Sequence, residues 1–289
     1  MEHQGLFYAP AKINLLLRVT GRRSDGYHEL VTLFHPVYKV CDEIKADLCA
    51  AEGISLSCTQ PGVPADSRNL LWKAAAAFAE KMQLSPRWHF ELIKHIPAAA
   101  GMGGGSSDAG RVLRFLSERF PGCSETDLVT LGASLGADVP FFLSPQDASA
   151  RGTGEKITPA GTLPMPPILA VFPNFPVSAA WAYKHLQQFT PPEQAEEELG
   201  LLTEALLQKN FDQAAALCAN DLEHSLFEKF PLLNFLRREL LACGAMCVHV
   251  SGSGSSLFAM FPETELLKKA SAVLGTKENL ATGIKIMEC

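Results

Sequence analysis

Residues 97 to 108 read Pro97-Ala98-Ala99-Ala100-Gly101-Met102-Gly103-Gly104-Gly105-Ser106-Ser107-Asp108, with four glycines in five residues. Such a run disfavours the interior of a helix or strand, because glycine loses more backbone freedom on folding than any other residue. It reads as a loop, and its flanks limit the fold. Trp88 to Ile96 reads as a strand, and after the loop Val112, Leu113, Leu116 and Phe120 share one helical face. In a strand, glycine loop and helix, bare amides and the positive end of the helix dipole can face a phosphate. The Ser106 and Ser107 hydroxyls add donors. No Gly-Lys-Ser/Thr closes the loop as in a Walker A motif, and Ser106 occupies the place of the third glycine of a dinucleotide fingerprint starting at Gly101. A flexible linker is the alternative, and the flanking strand and helix argue against it.

The surrounding pattern is mixed. Strands are expected over 5–19, 27–47 and 168–172, and helices over 69–82, 178–189, 199–208, 211–230, 232–243 and 263–274. Two strands flank residues 251–256, and a last strand covers 280–287. Ser124 followed by Asp127 resembles a capping box for a helix that Gly136 stops, and Ala137 to Phe142 leave it in extended form before Pro140. Residues 190–198, with two prolines, look like a linker. Helices and strands without regular βαβ alternation define the class as α+β. At roughly 150 residues per domain, 289 residues suggest two.

Twenty-five basic against thirty-one acidic residues leave a net charge of −6, which argues against nucleic acid as the partner. A start without a charged and apolar leader, and the lack of an apolar run of ~18 residues, lead to the expectation of a cytoplasmic, non-membrane protein. None of the eight cysteines forms a Cys-x-x-Cys pair, so they read as small buried hydrophobes rather than metal ligands.

Three further segments are ambiguous singly. Lys12 and Asn14, in Ala9-Pro10-Ala11-Lys12-Ile13-Asn14, share one face of an apolar strand, where a lysine usually snorkels to the surface. Asp138 could be an ordinary turn aspartate, and Ser251-Gly252-Ser253-Gly254-Ser255-Ser256 an ordinary hairpin turn.

In order along the chain, Pro10-Ala11-Lys12-Ile13-Asn14, the glycine loop and Ser251-Gly252-Ser253-Gly254 resemble the three signature motifs of the GHMP small-molecule kinases. Asp25-Gly26-Tyr27-His28-Glu29-Leu30, Leu135-Gly136-Ala137-Asp138-Val139-Pro140-Phe141 and Gly152-Thr153-Gly154-Glu155 are similar to the branch acting on 4-diphosphocytidyl-2-C-methyl-D-erythritol. The resemblance implies a two-domain fold divided near residue 160, with 1–160 carrying the ATP loop, 161–289 ferredoxin-like, and the active site in the cleft between them. It implies transfer of the ATP γ-phosphoryl group to the 2-hydroxyl of that substrate, in the non-mevalonate isoprenoid pathway. Asp138 would be the general base, with Lys12 beside it holding it ionised and stabilising the forming alkoxide.

By the same resemblance, Pro97, Gly101, Met102, Gly103, Gly104, Gly105, Ser106 and Ser107 would wrap the triphosphate, and Asn69 and Lys94 would line the adenine pocket. Tyr27 and His28 would hold cytosine, faced by Tyr183 or by its rival Trp181, while Asn14, Ser253 and Gly254 would contact substrate or phosphate. ATP chemistry implies Mg²⁺, for which the sequence offers no paired carboxylates, so its ligand stays open, as does the oligomeric state. Met102 stands where leucine is frequent, and Gly110 where alanine is usual, an exchange expected to cost up to ~1 kcal/mol early in a helix. A GHMP kinase for homoserine, mevalonate or a sugar, and a non-catalytic sensor on the same fold, are the other readings.

Overall fold

The computed structural model describes residues 4–278 and 284–289. They form two compact units interleaved along the chain: residues 4–11, 40–98 and 103–145 in one, and 12–39, 99–102, 146–278 and 284–289 in the other. Two long strands, β1 (Gln4–Arg22) and β2 (His28–Asp47), contribute to both.

The first unit adds β3 (Gly53–Cys58), α1 (Leu70–Lys81), β4 (Arg87–Ile93), α2 (Gly104–Arg119), α3 (Glu125–Leu135) and α4 (Val139–Leu143). The end of β2 pairs antiparallel with β4, and β4 pairs parallel with β3. Phe78, Trp88, Phe90, Val112, Leu113 and Leu116 fill its core, which joins the helices to the strands. Asn69 caps α1, its Oδ1 accepting from the Leu71 amide at 2.9 Å, and Ser124 caps α3 by accepting from the Asp127 amide at 3.1 Å. Residues 139–143 are not extended as expected. They form a short helix with Pro140 in its first turn, where the missing N–H costs nothing, and Asp138 stands at its N-cap.

The second unit contains β5 (Asp147–Gly152), β6 (Lys156–Gly161), β7 (Ile168–Phe172), α5 (Ala179–Lys184), α6 (Pro192–Leu207), α7 (Phe211–Leu217), β8 (Ala219–Asn220), α8 (Glu223–Lys229), α9 (Pro231–Ala242), β9 (Cys247–Val250), β10 (Leu257–Met260), α10 (Thr264–Glu278) and β11 (Lys285–Glu288). An antiparallel sheet in the order β11-β7-β10-β9 shares a core with α9 and α10, built on Leu169, Val171, Leu236, Leu240, Val250 and Phe261. The start of β2 pairs with β5, which pairs with β6. The expected linker at 190–198 is largely the opening of α6, with Pro192 at a helix start. The single helix expected over 211–230 is broken at Asn220, whose backbone pairs with Leu17 of β1. Part of the expected last strand, residues 280–283, lies outside the described residues.

Candidate active site

Lys12 lies on β1 as a buried cation, only 4% exposed, rather than snorkelling to solvent. Its ammonium donates to Asn14 Oδ1 at 2.6 Å and sits 5.0 Å from the centre of the Phe34 ring. Asn14 donates in turn to Thr32 Oγ1 at 2.9 Å, and Thr32 donates to the Leu16 carbonyl at 2.5 Å. Each polar atom of this chain thereby has a partner in a site that excludes water, which fixes the direction of the ammonium.

The turn between β9 and β10 packs on the same place. A Cβ on Gly252 would lie 3.4 Å from both Lys12 Nζ and Asn14 Oδ1. The start of the glycine loop is fastened to this turn: Ser256 N donates to the Ala100 carbonyl at 3.1 Å, Ser251 Oγ to the Gly101 carbonyl at 3.1 Å, and Lys12 N to the Met102 carbonyl at 3.0 Å. Gly101 has φ +77°, and a Cβ there would fall 2.1 Å from the Ser251 carbonyl oxygen, so no other residue fits. Ser253 and Gly254 form the tip of the turn, with Gly254 N donating to the Ser251 carbonyl at 3.0 Å. Asn220, absent from the sequence expectations, clamps it from below. Its Nδ2 donates to the Val250 and Gly252 carbonyls, both at 2.8 Å, and its Oδ1 accepts from Leu222 N at 2.9 Å. The only hint in the sequence was Asn220-Asp221 interrupting an apolar helical pattern.

In the other unit, Gly103 enters α2 in the left-handed conformation at φ 70°, and Gly104, Gly105 and Ser106 form its open first turn. Their amides are the ones a helix start leaves without intrahelical partners. Ser107 Oγ is fully buried and has no hydrogen-bond partner among the described residues. The segment carrying Asp138 lies against this turn: a Cβ on Gly136 would come 4.0 Å from Ser106 Oγ. α4 packs on α2 at Gly110, where a Cβ would meet Phe142 Cβ at 2.7 Å and the Val139 carbonyl at 2.9 Å. Glycine at 110 is therefore what lets the two helices touch, and the expected gain from alanine does not apply.

Asn69 and Lys94 have other employment. The Asn69 side chain caps α1 and donates from Nδ2 to the Pro64 carbonyl at 2.7 Å. Lys94, with a side chain 4% exposed, places its ammonium between the carboxylates of Asp42 and Asp108. Burial pushes the Lys94 ammonium down, and the two acids together outweigh it, so its net shift is upward. Burial is also the main cause that pushes the Asp108 carboxyl up to about 7, with Lys94 opposing and Asp42 reinforcing.

A third group of residues is aromatic. Tyr27, 66% exposed, ends a turn in which its own amide donates to Asp25 Oδ1 at 3.1 Å and Arg23 holds both Asp25 and Glu29. His28 stacks on Tyr183, with ring centres 5.1 Å apart and planes 22° from parallel, and Phe189 closes in at 6.2 Å. Burial, with help from Arg22, lowers the His28 pKa, which favours the neutral ring. Trp181 instead stacks on His185 at 4.3 Å and meets Phe230 edge-on.

A glycine loop opening a helix, a buried lysine and a serine-glycine turn are the parts of a small-molecule kinase. Residues 69–146 match the family model of the GHMP kinase N-terminal domain, and residues 202–278 that of the GHMP kinase C-terminal domain. A 4-diphosphocytidyl-2-C-methyl-D-erythritol kinase of Geobacter sulfurreducens is 37% identical over 281 residues, covering 96% of this chain and 97% of that one. Another, from Methylacidiphilum infernorum, is 39% identical over 280 residues, covering 93% and 92%. Among solved structures, a 4-(cytidine 5'-diphospho)-2C-methyl-D-erythritol kinase superposes with a TM-score of 0.78 at 34% identity, covering 98% of each chain. A homoserine kinase from Cytophaga hutchinsonii, at 17% identity and TM-score 0.76, shares the fold. The chain belongs to the GHMP kinases and, within them, to the family of 4-diphosphocytidyl-2-C-methyl-D-erythritol kinases. Among the described residues no helix is long and apolar enough to cross a membrane.

Proposed function

We infer that the chain transfers the γ-phosphoryl group of ATP to the 2-hydroxyl of 4-diphosphocytidyl-2-C-methyl-D-erythritol, a step of the non-mevalonate isoprenoid pathway. What carries this reading is near full-length kinship with kinases of that name at 37% identity. The stacked His28 and Tyr183, with the exposed Tyr27 nearby in sequence, support a site for a flat base such as cytosine. A homoserine, mevalonate or sugar kinase has no use for such a group.

In this reading the amides of Gly103 to Ser106 and the hydroxyls of Ser106 and Ser107 hold the triphosphate, the Ser107 amide being taken by the Gly103 carbonyl at 2.8 Å. Asp138 accepts the proton of the attacking hydroxyl, and the ammonium of Lys12, aimed by Asn14 and Thr32, stabilises the negative charge that develops. Phosphoryl transfer asks for little beyond positioning and charge stabilisation, and a dry, pre-aimed cation supplies both. Asn14 acts through Lys12, and Tyr183 rather than Trp181 is the second aromatic of the base site. The functional division at residue 160 is supported by the two family-model matches, which fall on either side of it.

Mg²⁺ fits this donor set in one way. No group of three His, Cys, Asp or Glu gathers among the described residues, whereas the buried Ser107 hydroxyl lacks a partner. Ser107 would hold the ion beside phosphate oxygens and waters, and the bound ion would neutralise charge on the phosphates.

The test is ADP release with ATP and Mg²⁺, comparing 4-diphosphocytidyl-2-C-methyl-D-erythritol with 2-C-methyl-D-erythritol 4-phosphate, mevalonate and homoserine. Turnover with the first alone is expected. Turnover with another acceptor instead would remove the cytidine reading, and none with any would favour the sensor.

A further inference from the structure

The buried cluster Asp42, Lys94 and Asp108 ties together both stems of the glycine loop. On the entry side, Asp42 Oδ1 accepts from the amides of His95 at 2.6 Å and Ile96 at 2.8 Å, the two residues leading into Pro97. On the exit side, Lys94 donates to Asp108 Oδ2 at 2.9 Å, one turn into α2. Lys94 also donates to Asp42 and so bridges the two ties. Its ammonium stands directly behind the first residue of α2, since a Cβ on Gly104 would come 3.3 Å from it and 2.9 Å from Ile96 Cγ2.

Stability does not account for this arrangement. Asp42 and Asp108 are 0% and 2% exposed, one cation serves two carboxylates, and Asp108 Oδ1 has no hydrogen-bond partner among the described residues. Replacing such a buried charge cluster by apolar side chains of similar volume is often neutral or stabilising, because taking the charges out of water can cost more than their pairing returns. What the charges provide is direction: four fixed hydrogen bonds that set the end of β4 against the first turn of α2. The amides of Gly104, Gly105 and Ser106 lie on that turn.

We propose that Lys94 is a positioning residue, acting through Asp108 and Asp42 to hold the amides of the glycine loop in register for the triphosphate, rather than a contact to adenine. This rests on the reading of the loop as the triphosphate site. The test measures affinity for ATP and for inorganic tripolyphosphate, which has no base, in the full-length protein. Variants are Lys94→Met, Asp108→Ala, and Asp108→Asn, which keeps an acceptor for Lys94.

Lys94→Met and Asp108→Ala are expected to weaken both ligands by the same factor, about tenfold or more, with KM for the acceptor substrate changed by less than about twofold. Asp108→Asn is expected to recover most of the loss, and thermal melts identify any variant that fails to fold. A loss confined to ATP would place Lys94 at the base and overturn the proposal, as would unchanged affinity for both ligands in folded variants. Failure of the unaltered protein to bind tripolyphosphate would instead overturn the reading of the loop itself.

Discussion

Single side chains do the work that the glycine loop cannot. Asp138 is expected to be indispensable to chemistry and dispensable to nucleotide binding, so Asp138→Asn should lower kcat by roughly 10²-fold or more with ATP affinity retained. Calorimetric titration with ATP beside a turnover assay checks both halves, and normal turnover would remove Asp138 as the base. Asp108 gives a different signal. Its carboxyl titrates at about 7 in the fold, above its ordinary value, so the folded chain binds the proton more tightly than the unfolded one. Stability from this group is therefore complete below pH ~4 and is lost as pH rises toward 7. Against Asp108→Asn, which does not titrate at that position, the unaltered protein should lose stability between pH 5 and pH 8 in urea melts. A constant difference would contradict the raised value. Sequence could single out Lys12 and Asn14, but not Thr32, which anchors Asn14 from 18 residues away in the chain.

At the level of elements, periodicity was a good guide wherever one face packs and the other is wet. α1, β4, α2 and α3 follow their apolar patterns, and the cap at Ser124 forms as its sequence suggests. It failed where a long-range partner overrides local preference. Residues 211–230 were expected as one helix, yet Asn220 gives its backbone to β1 and its side chain to the turn after Val250, and the helix breaks. β5 and β6 carried no expectation from the sequence, because their pairing with each other and with β2 is invisible locally. Gly110 shows the same limitation in reverse. Propensity favours alanine there, and packing forbids it, so Gly110→Ala should destabilise by about 1–3 kcal/mol through overpacking against α4. A denaturation midpoint equal to or above that of the unaltered chain would show that α4 yields.

For the molecule as a whole, the fold class was readable from mixed periodicities and the family from three short motifs, whereas the interleaving of the two units was not. Strands of 19 and 20 residues that serve both units leave no compositional boundary to find. Ligand linkage is the global check. ATP with Mg²⁺ at about 100 times its dissociation constant should add about 2.7 kcal/mol to stability, and chelation of Mg²⁺ should remove much of that gain and abolish turnover. A melting temperature indifferent to ATP would show that the folded state does not bind it.

The fastening of Ala99 to Met102 also bears on how the chain is made. Their carbonyls are held by Lys12, Val177, Ser251 and Ser256, and the last two follow some 150 residues later. During synthesis, helices and strands of the first unit can form while this stretch still lacks its final partners. The stretch that emerges before the middle of translation thus gains its last backbone partners only when Ser256 has left the ribosome, so its final conformation is one of the last features the nascent protein acquires.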